Sequence, residues 1–347
     1  MTKKDIKSLS LDEIKKEFVE DGLPEYRASQ VFEWLNRGVE SFDDMTNIPK
    51  SLREALFSKY DIYSAEIERR LLSLIDGTVK YLFKLHDGEY VESVLMKYKH
   101  GYSICISTQV GCKMGCSFCA TGMSGFLRNL TPSEMLSQIQ TAQNNENIRI
   151  SNIVLMGMGE PLDNYDNVLK FLRLVSAEQG LNIGLRHISL STCGLVDKIY
   201  ELAEEKLQLT LSISLHAPND EIRSRTMPVN KKWCIDELIK ACKYYIKQTN
   251  RRISFEYAMI SGVNDTDECA FELARKLRGM LCHINLIPVN GVEGTGYKKS
   301  ELKRQERFKK ILLSKGLNVT VRRTLGSDIK ASCGQLRRNR NLGRNHS

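Results

Sequence analysis

One segment, Ile104-Cys-Ile-Ser-Thr-Gln-Val-Gly-Cys112-Lys-Met-Gly-Cys116-Ser-Phe-Cys119, places three cysteines just after a short apolar run. The run predicts a β-strand, and the C-x3-C-x2-C spacing puts three thiols on the tight loop that follows it. Thiolates are the protein ligands of iron–sulfur clusters, usually four to a cluster. Because this loop supplies three, one iron of a four-iron cluster would stay open to bind another molecule. The segment therefore predicts a reactive iron–sulfur centre.

Zinc is the alternative that these cysteines leave open. A structural zinc site needs a closed shell of four ligands, commonly two C-x2-C pairs or one pair with two histidines. The chain has no second C-x2-C pair, and its six histidines show no H-x3–5-H spacing. A disulfide framework is less favoured still, because the sequence starts Met-Thr-Lys-Lys-Asp without an apolar signal segment.

Length and cysteine content indicate a large protein of a reducing compartment. A chain of 347 residues is long enough for one large α/β domain with an accessory piece. No apolar run approaches the length that spans a bilayer, so no membrane partner is expected. Ten cysteines without a secretion signal are typical of a compartment where thiols stay reduced. We therefore expect a cytoplasmic protein.

The positive charge is concentrated at the carboxyl-terminal end. Residues 297–347 carry 15 Lys and Arg against 3 Asp and Glu, whereas the whole chain has a net charge of +9. Basic groups such as Arg322-Arg323 and Arg337-Arg338-Asn-Arg340 are typical of a polyanion-binding segment. A solvated basic tail is the alternative. The segment also contains Cys333, which favours a functional role.

The first 75 residues are predicted to form a helical accessory domain. Ser10 and Glu13 fit a capping box at the start of a helix. The apolar face of that helix consists of Ile14, Phe18 and Val19. Pro24 and Pro49 each open a further helix. Residues 76–97 are predicted to form a β-hairpin extension, whose strands 79–85 and 90–98 are joined at Asp87-Gly88.

From residue 104 onward a strand, loop and helix pattern repeats six times. The predicted strands are 104–107, 152–156, 187–191, 209–214, 254–260 and 283–288. Most are continuous apolar runs, as expected for parallel strands that are buried on both faces. Alternating units of this kind form either an open doubly wound sheet or a barrel. Both architectures place their chemistry at the carboxyl ends of the strands.

Polar residues do follow the predicted strands where they end. They include Gly157-Met-Gly159-Glu160 after the second strand, Ser191 after the third, Ser214 and His216 after the fourth, and Asn290 after the sixth. Taken singly, each has an ordinary explanation: the glycines as turn residues, Glu160 as an acid in a loop, and His216 as a half-buried histidine. Because they converge at one edge of the sheet, together they predict a ligand cradle around the cluster.

Four separated motifs resemble those of the RlmN/Cfr family of radical S-adenosylmethionine (SAM) RNA methyltransferases. They are residues 109–122, 156–162, 214–216 and 327–336, and the resemblance covers nearly the whole chain. It implies an α/β fold, a partial (β/α)6 radical SAM barrel, with the helical accessory domain and the β-hairpin extension added. The barrel would span residues 98–328, and residues 329–347 would form a basic carboxyl-terminal segment that carries Cys333.

The same resemblance implies methylation of carbon 2 of adenosine in 23S rRNA, at the peptidyl-transferase centre, and in tRNA. Cfr enzymes methylate carbon 8 of the same rRNA adenosine and typically have alanine where this chain has Pro161, which favours carbon 2. A zinc-stabilised RNA-binding protein without turnover is the alternative from a different class. A methylthiotransferase would carry a second three-cysteine motif, which the sequence lacks.

The resemblance also implies which residues act. Cys112, Cys116 and Cys119 would bind one [4Fe–4S] cluster. SAM would be contacted by Gly159, Glu160, Ser191, Ser214, Leu215, His216 and Asn290. Cys333 would carry the methyl group, Cys105 would form a transient disulfide with it, and Glu92 would accept a proton. Two molecules of SAM per turnover and a reducing electron donor of the flavodoxin type are implied as well.

The chemistry explains the need for two more thiols. Carbon 2 of adenine lies between two ring nitrogens and is electron-poor, so it will not attack the methyl group of SAM directly. A carbon radical formed on a methylated thiol can add there, and a second thiol can then release the product by forming a disulfide. Lys330, Arg337 and Arg338 are expected to favour the thiolate of Cys333 and to attract RNA. The remaining cysteines are expected to pack as small apolar residues: Cys193, Cys234, Cys242, Cys269 and Cys282.

Overall fold

The computed structural model describes residues 3–291 and 295–336 of the chain. Its strands are β1 Lys4–Asp5, β2 Tyr60–Asp61, β3 Glu66–Leu72, β4 Val79–Lys84, β5 Tyr90–Tyr98, β6 Gly101–Cys105, β7 Gln109–Gly111, β8 Phe126–Asn129, β9 Ile150–Leu155, β10 Ile188–Thr192, β11 Thr210–Ser214, β12 Ile253–Met259, β13 Cys282–Pro288 and β14 Val319–Val321. Its helices are α1 Leu11–Glu20, α2 Glu25–Asn36, α3 Lys50–Lys59, α4 Ala120–Met123, α5 Pro132–Glu146, α6 Tyr165–Ser176, α7 Val196–Glu204, α8 Asp220–Thr226, α9 Ile235–Thr249, α10 Asp267–Leu277 and α11 Leu302–Ser314. The predicted basic residues Arg337, Arg338 and Arg340 lie outside the described residues.

The amino-terminal helices α1, α2 and α3 begin where the sequence predicts. Ser10 and Glu13 form the capping box of α1, in which each side chain accepts from the other residue's backbone N–H. Ile14 and Phe18 are buried on the inner face of this helix. Val19 is 61% exposed, so its assignment to the apolar face is wrong. Val19 adjoins Phe18 in sequence, and the 100° step between successive helical residues turns it toward solvent.

A ten-stranded sheet organises the rest of the chain, in the order β14-β13-β12-β11-β10-β9-β6-β5-β4-β3. Within this sheet, the strands that run parallel to one another are β6, β9, β10, β11, β12, β13 and β14. Strands β3, β4 and β5 continue the sheet in antiparallel pairing. The six predicted parallel strands correspond to β6, β9, β10, β11, β12 and β13. The structure adds β14 as a seventh parallel strand. It also adds β3, so the predicted hairpin is part of a three-stranded extension.

The parallel strands bury one face under helices and turn the other toward the barrel interior. Successive residues of β10 and β13 alternate strictly between buried and half-buried positions. The buried positions face the layer of helices that includes the packed pairs α7 with α9 and α10 with α11. This alternation follows from the two-residue period of a strand. The half-buried inner face is therefore where ligands have access.

None of the helices in the described ranges combines the length and the apolar character that crossing a membrane requires.

Candidate active site

The cysteine loop begins just beyond the end of β6 and is closed at its base by the pairing of β7 with β8. Gly111 has φ +80°, and a Cβ atom there would lie 1.9 Å from the carbonyl oxygen of Gly125. Only glycine permits this close approach of two backbones. The N–H of Cys112 then donates to the same Gly125 oxygen at 2.8 Å. The loop is thus held as a narrow turn that keeps its three thiols on one side.

The three thiols line a cavity at the carboxyl ends of the parallel strands, here called the reaction cavity. It encloses about 970 Å³, counting space open to solvent. Ten residues predicted for the site line it: Cys112, Cys116, Cys119, Gly159, Glu160, Ser191, Ser214, His216, Asn290 and Cys333. Leu215 is buried behind this wall, where its N–H donates to the carbonyl oxygen of Glu256.

Glu160 is held by the backbone of two loops. Its carboxylate accepts from the N–H of Cys193 at 2.7 Å and from that of Leu162 at 3.0 Å. Burial raises the pKa of this carboxyl, and these donors oppose the rise. The preceding Gly159 has φ +102°, and a Cβ atom there would lie 2.6 Å from Cβ of Gln109. Glycine therefore lets the backbone before Glu160 pass directly against β7.

His216 is a neutral wall residue. Its Nδ1 accepts from the N–H of Ala258 at 2.9 Å, so the hydrogen of the neutral ring is on Nε2. Burial lowers the pKa of His216 to about 3, and the nearby charge of Arg223 adds to this effect. Phe118 of the cysteine loop meets the ring edge-on, with 5.1 Å between ring centroids. His216 therefore supports the cysteine loop without contributing charge.

The donor chemistry of the loop fits an iron–sulfur cluster. Burial raises the pKa of the Cys112 thiol to about 12 and raises that of Cys116 as well. Such thiols keep their protons until a cationic group displaces them. Sulfur donors in a largely apolar cavity suit soft metal centres. In the part of the chain that the structure describes, no three His, Cys, Asp or Glu side chains converge on a single ion position.

Cys333 and Cys105 share a second, narrower cavity behind the first. Cys333, Met156 and Arg322 line both cavities, and Cys105 lines only the narrower one. Both cysteines are free thiols. Burial raises the pKa of Cys105 to about 12, the proximity of Cys333 raises it further, and Arg322 opposes both effects. The structure thus brings together the two thiols that the resemblance paired.

The segment of residues 326–336, here called the Cys333 segment, is anchored to the β-extension at one end. The carboxylate of Asp328 accepts from the hydroxyl of Ser73 at 2.7 Å and from the N–H of Leu74 at 3.0 Å. The carboxylate of Asp76 accepts from the N–H of Gly326 at 2.9 Å. These contacts join the chain after β14 to the loop between β3 and β4.

The other end of the Cys333 segment is anchored to the cysteine loop. The N–H of Ala120 donates to the carbonyl of Gly334 at 2.8 Å, and the hydroxyl of Thr121 donates to that of Leu336 at 2.8 Å. Ala120 and Thr121 directly follow Cys119. The segment that carries Cys333 is therefore tied to the cysteine loop just after the thiol, through the carbonyls of Gly334 and Leu336.

Glu92 lies beside this arrangement and outside the walls of both cavities. It is buried on β5 and forms an ion pair of 2.8 Å with Lys80 of β4. By the two-residue period of β5 it shares a face with Val94 and Met96, which line the narrower cavity. Val94 pairs directly with Cys105 across the sheet. An acidic residue on a strand is usually exposed to solvent, but Glu92 is buried and paired.

Three further basic residues of this region have positions that the sequence did not predict. Arg322, expected on a polyanion-binding surface, is half-buried in the cavity wall, where interaction with Cys333 and Glu256 raises its pKa. Lys80 also donates to the carbonyl of Lys330 at 3.1 Å. Arg223 is fully buried and donates to the carbonyl of Cys193 at 2.6 Å. Three basic residues were expected around Cys333. Of these, Lys330 is exposed, and Arg337 and Arg338 lie outside the described residues.

A partial α/β barrel with a three-cysteine loop and a ligand cavity at its carboxyl edge defines the chain as a radical SAM enzyme. Residues 106–274 match the radical SAM superfamily, and residues 4–62 match the ribosomal RNA large subunit methyltransferase N-terminal domain. The chain therefore belongs to the RlmN family of dual-specificity RNA methyltransferases, and it is a SAM-dependent radical RNA methyltransferase. This membership excludes the zinc-stabilised protein without turnover.

Known relatives cover almost the whole chain. It is 55% identical to the probable dual-specificity RNA methyltransferase RlmN of Alkaliphilus oremlandii, over 97% of this chain and 98% of the relative. It is 54% identical to the protein of the same description from Clostridium tetani, over 95% of each. A crystal structure of a radical SAM methyltransferase from Sphaerobacter thermophilus matches with a TM-score of 0.92 and 44% identity. That match covers 97% of this chain and 100% of the other.

Proposed function

We propose that the protein methylates carbon 2 of adenosine in 23S rRNA, at the peptidyl-transferase centre, and in tRNA. The methyl group would pass through Cys333 and a covalent protein–RNA adduct, which a Cys105–Cys333 disulfide would resolve. The observation that carries the proposal is the narrow cavity shared by these two thiols, which opens on the wall of the reaction cavity. A single displacement on RNA would need neither thiol.

The cofactors would be held by the carboxyl edge of the barrel. Cys112, Cys116 and Cys119 would bind one [4Fe–4S] cluster, which when bound supplies the electron that cleaves SAM reductively. The proposed SAM contacts are Gly159, Glu160, Ser191, Ser214, Leu215, His216 and Asn290. Glu160 offers a fixed carboxylate to a cationic or hydroxyl-bearing ligand, and Leu215 would contribute through its backbone. A flavodoxin-type protein is the proposed electron donor, and the cytoplasm the proposed location.

Cys333 would first accept a methyl group from one SAM molecule by displacement, with its sulfur as the nucleophile. Arg322 supports this role, because its positive charge lies in the cavity wall beside Cys333. A second SAM molecule would then be consumed to activate the methylated sulfur. The target adenosine must leave its stack to reach the cavity, at a cost of a few kcal/mol.

Release of the product would use Glu92 and Cys105. Glu92 would accept the proton that leaves carbon 2, and its ion pair with Lys80 supports an ionised carboxylate there. The sulfur of Cys105 would attack that of Cys333, so that a sulfur–sulfur bond forms as the carbon–sulfur bond to RNA breaks. The buried thiol of Cys105 needs a base for this attack, since its pKa is raised to about 12.

Two cysteine variants test the thiol mechanism. Cys333→Ala should produce no methylated RNA and no protein-bound methyl group, because the carrier sulfur is gone. Cys105→Ala should form the adduct and fail to release it, so RNA should comigrate with the protein under denaturing conditions. Cys269→Ala, a buried cysteine of α10, is the control and should turn over normally. Full turnover by either of the first two variants would refute the two-thiol mechanism.

The position of the methyl group is tested separately. Digestion of the product RNA and mass spectrometry should give a monomethylated adenosine that comigrates with the 2-methyladenosine standard. Comigration with 8-methyladenosine would show the carbon 8 specificity of Cfr enzymes and would leave the thiol mechanism intact.

A further inference from the structure

The barrel interior has a further cavity, distinct from the two described above, at the amino ends of the parallel strands. It is here called the basal cavity. It encloses about 980 Å³, counting space open to solvent. Its wall is formed largely by hydroxyl and cationic side chains, among them Ser189, Thr210, Ser212, Ser254, Arg251 and Arg252. A barrel of parallel strands is usually filled by layers of branched apolar side chains at this level. This end of the barrel is polar and open, so a solute from the solvent can enter it.

The basal cavity is separate from the reaction cavity and shares a wall with it. Met156, Glu256 and Arg322 line both cavities. Glu256 is fixed at this boundary, where its carboxylate accepts from Ser254 and from Asn285, each at 2.8 Å. Its charge faces the opposite charge of Arg322, with which it interacts.

Two arginines give the opposite end of the basal cavity a positive charge. Arg251 donates through Nε to the carbonyl of Leu209 at 3.4 Å, which leaves its terminal nitrogens available. Neither Arg251 nor Arg252 takes part in any of the ion pairs formed by the described residues. Arg252 directly precedes β12, and its Cα atom lies about 13 Å from that of Glu256, at 3.3 Å per residue. The guanidinium groups are therefore not neutralised by Glu256.

Hydrogen-bond donors lie between these charges and the shared wall. Ser189 and Ser212 bond to each other at 3.0 Å, so one of the two hydroxyl hydrogens is left to donate elsewhere. Thr210 lies two residues before Ser212 on β11, closer to the opening of the cavity. His283 bonds to Thr320 at 2.8 Å, and burial together with Arg252 lowers its pKa. Guanidinium groups, hydroxyls and an imidazole are the groups that bind tetrahedral oxyanions.

We infer that the basal cavity binds a small phosphate-type oxyanion, either free phosphate or the monophosphate of a small molecule. The two arginines would provide the charge, and the hydroxyls of Thr210 and of the Ser189–Ser212 pair would provide neutral donors. The size of the cavity suits a small molecule, which favours such a ligand over an RNA strand. The site lies at the amino ends of the strands and uses none of the proposed catalytic or cofactor-binding residues.

Binding is tested by isothermal titration calorimetry on the full chain, in a buffer free of oxyanions, with inorganic phosphate and adenosine 5′-monophosphate as separate probes. Arg251→Gln/Arg252→Gln should weaken binding of the preferred probe at least about tenfold, since charge-assisted hydrogen bonds are lost. Arg275→Gln/Arg304→Gln removes the same charge from exposed sites on α10 and α11 and should bind as the wild type does. Tighter binding of the nucleotide would identify an organic phosphate as the ligand, and equal affinities would identify the free anion.

A cavity-filling variant provides an independent test. Ser189→Leu leaves the charge unchanged and should abolish binding by occupying the space between β10 and β11, with its melting temperature as the check on folding. The proposal is overturned if the wild type binds neither probe, or if both double variants lose binding equally, which would indicate nonspecific attraction. It is also overturned if the Arg251/Arg252 variant binds both probes normally and loses only affinity for RNA.

Discussion

Lys80 and Glu92 form a buried ion pair whose removal should destabilise the protein strongly. Their side chains are 10% and 12% exposed, and their charged atoms are 2.8 Å apart. Removing one partner of a buried pair costs about 3 to 5 kcal/mol, because the other charge is left without compensation. Lys80→Met also deprives the carbonyl of Lys330 of its donor. We therefore expect Lys80→Met to lower the free energy of unfolding by about 3 kcal/mol.

A double-mutant cycle measured by urea unfolding separates the pair from its surroundings. Glu92→Gln alone should cost a similar amount, and Lys80→Met/Glu92→Gln should cost less than the sum by about 2 kcal/mol. Lys84→Met is the control, since Lys84 pairs at 3.2 Å with an exposed Glu66, and its loss should cost less than about 1 kcal/mol. Additive costs of the two single variants, within about 0.5 kcal/mol, would refute the coupling.

Three further predictions concern Gly159, Lys7 and Asn264. Gly159→Ala should weaken SAM binding to reconstituted protein about tenfold or more, measured by equilibrium dialysis, because its Cβ would lie 2.6 Å from Gln109 at a φ of +102°. Burial lowers the pKa of Lys7 from 10.5 to about 8. Between pH 8 and 10.5, the unfolded chain therefore binds a proton at Lys7 that the folded chain does not. The stability of the wild type relative to Lys7→Met should therefore rise by about 3 kcal/mol from pH 8 to 10.5 in denaturant titrations. Asn264→Leu should lower the unfolding free energy by about 3 kcal/mol, because the buried amide donates to the carbonyls of His216 and Ala258 at 2.8 and 2.7 Å; a melting curve unchanged from the wild type would contradict this.

Local sequence signals predicted those elements whose formation depends on near neighbours. The capping box at Ser10 marks the start of α1, because both of its partners lie within four residues. Asp87-Gly88 marks the turn between β4 and β5 for the same reason. The six parallel strands were predictable because most are apolar runs bounded by turn residues, although β10 and β13 alternate between buried and half-buried positions.

Elements that depend on distant contacts were not predictable. β3 has the sequence Glu-Ile-Glu-Arg-Arg-Leu-Leu and lies at the sheet edge, where most of its residues are exposed, so no apolar alternation reveals it. Arg322 looks like any other member of a basic tail until β14 places it in the cavity wall. Lys80 and Glu92 come together only when β4 and β5 pair. Charge patterns along the sequence do not show which charges become buried.

The Cys333 segment is anchored at both ends, so the backbone position of Cys333 is fixed. A cysteine has one rotatable bond between its backbone and its sulfur, and that bond has three staggered positions. The methyl donor, the nucleobase and the resolving thiol must all be reachable from these few positions. Each reactant would therefore have to come within reach of a sulfur whose position changes little.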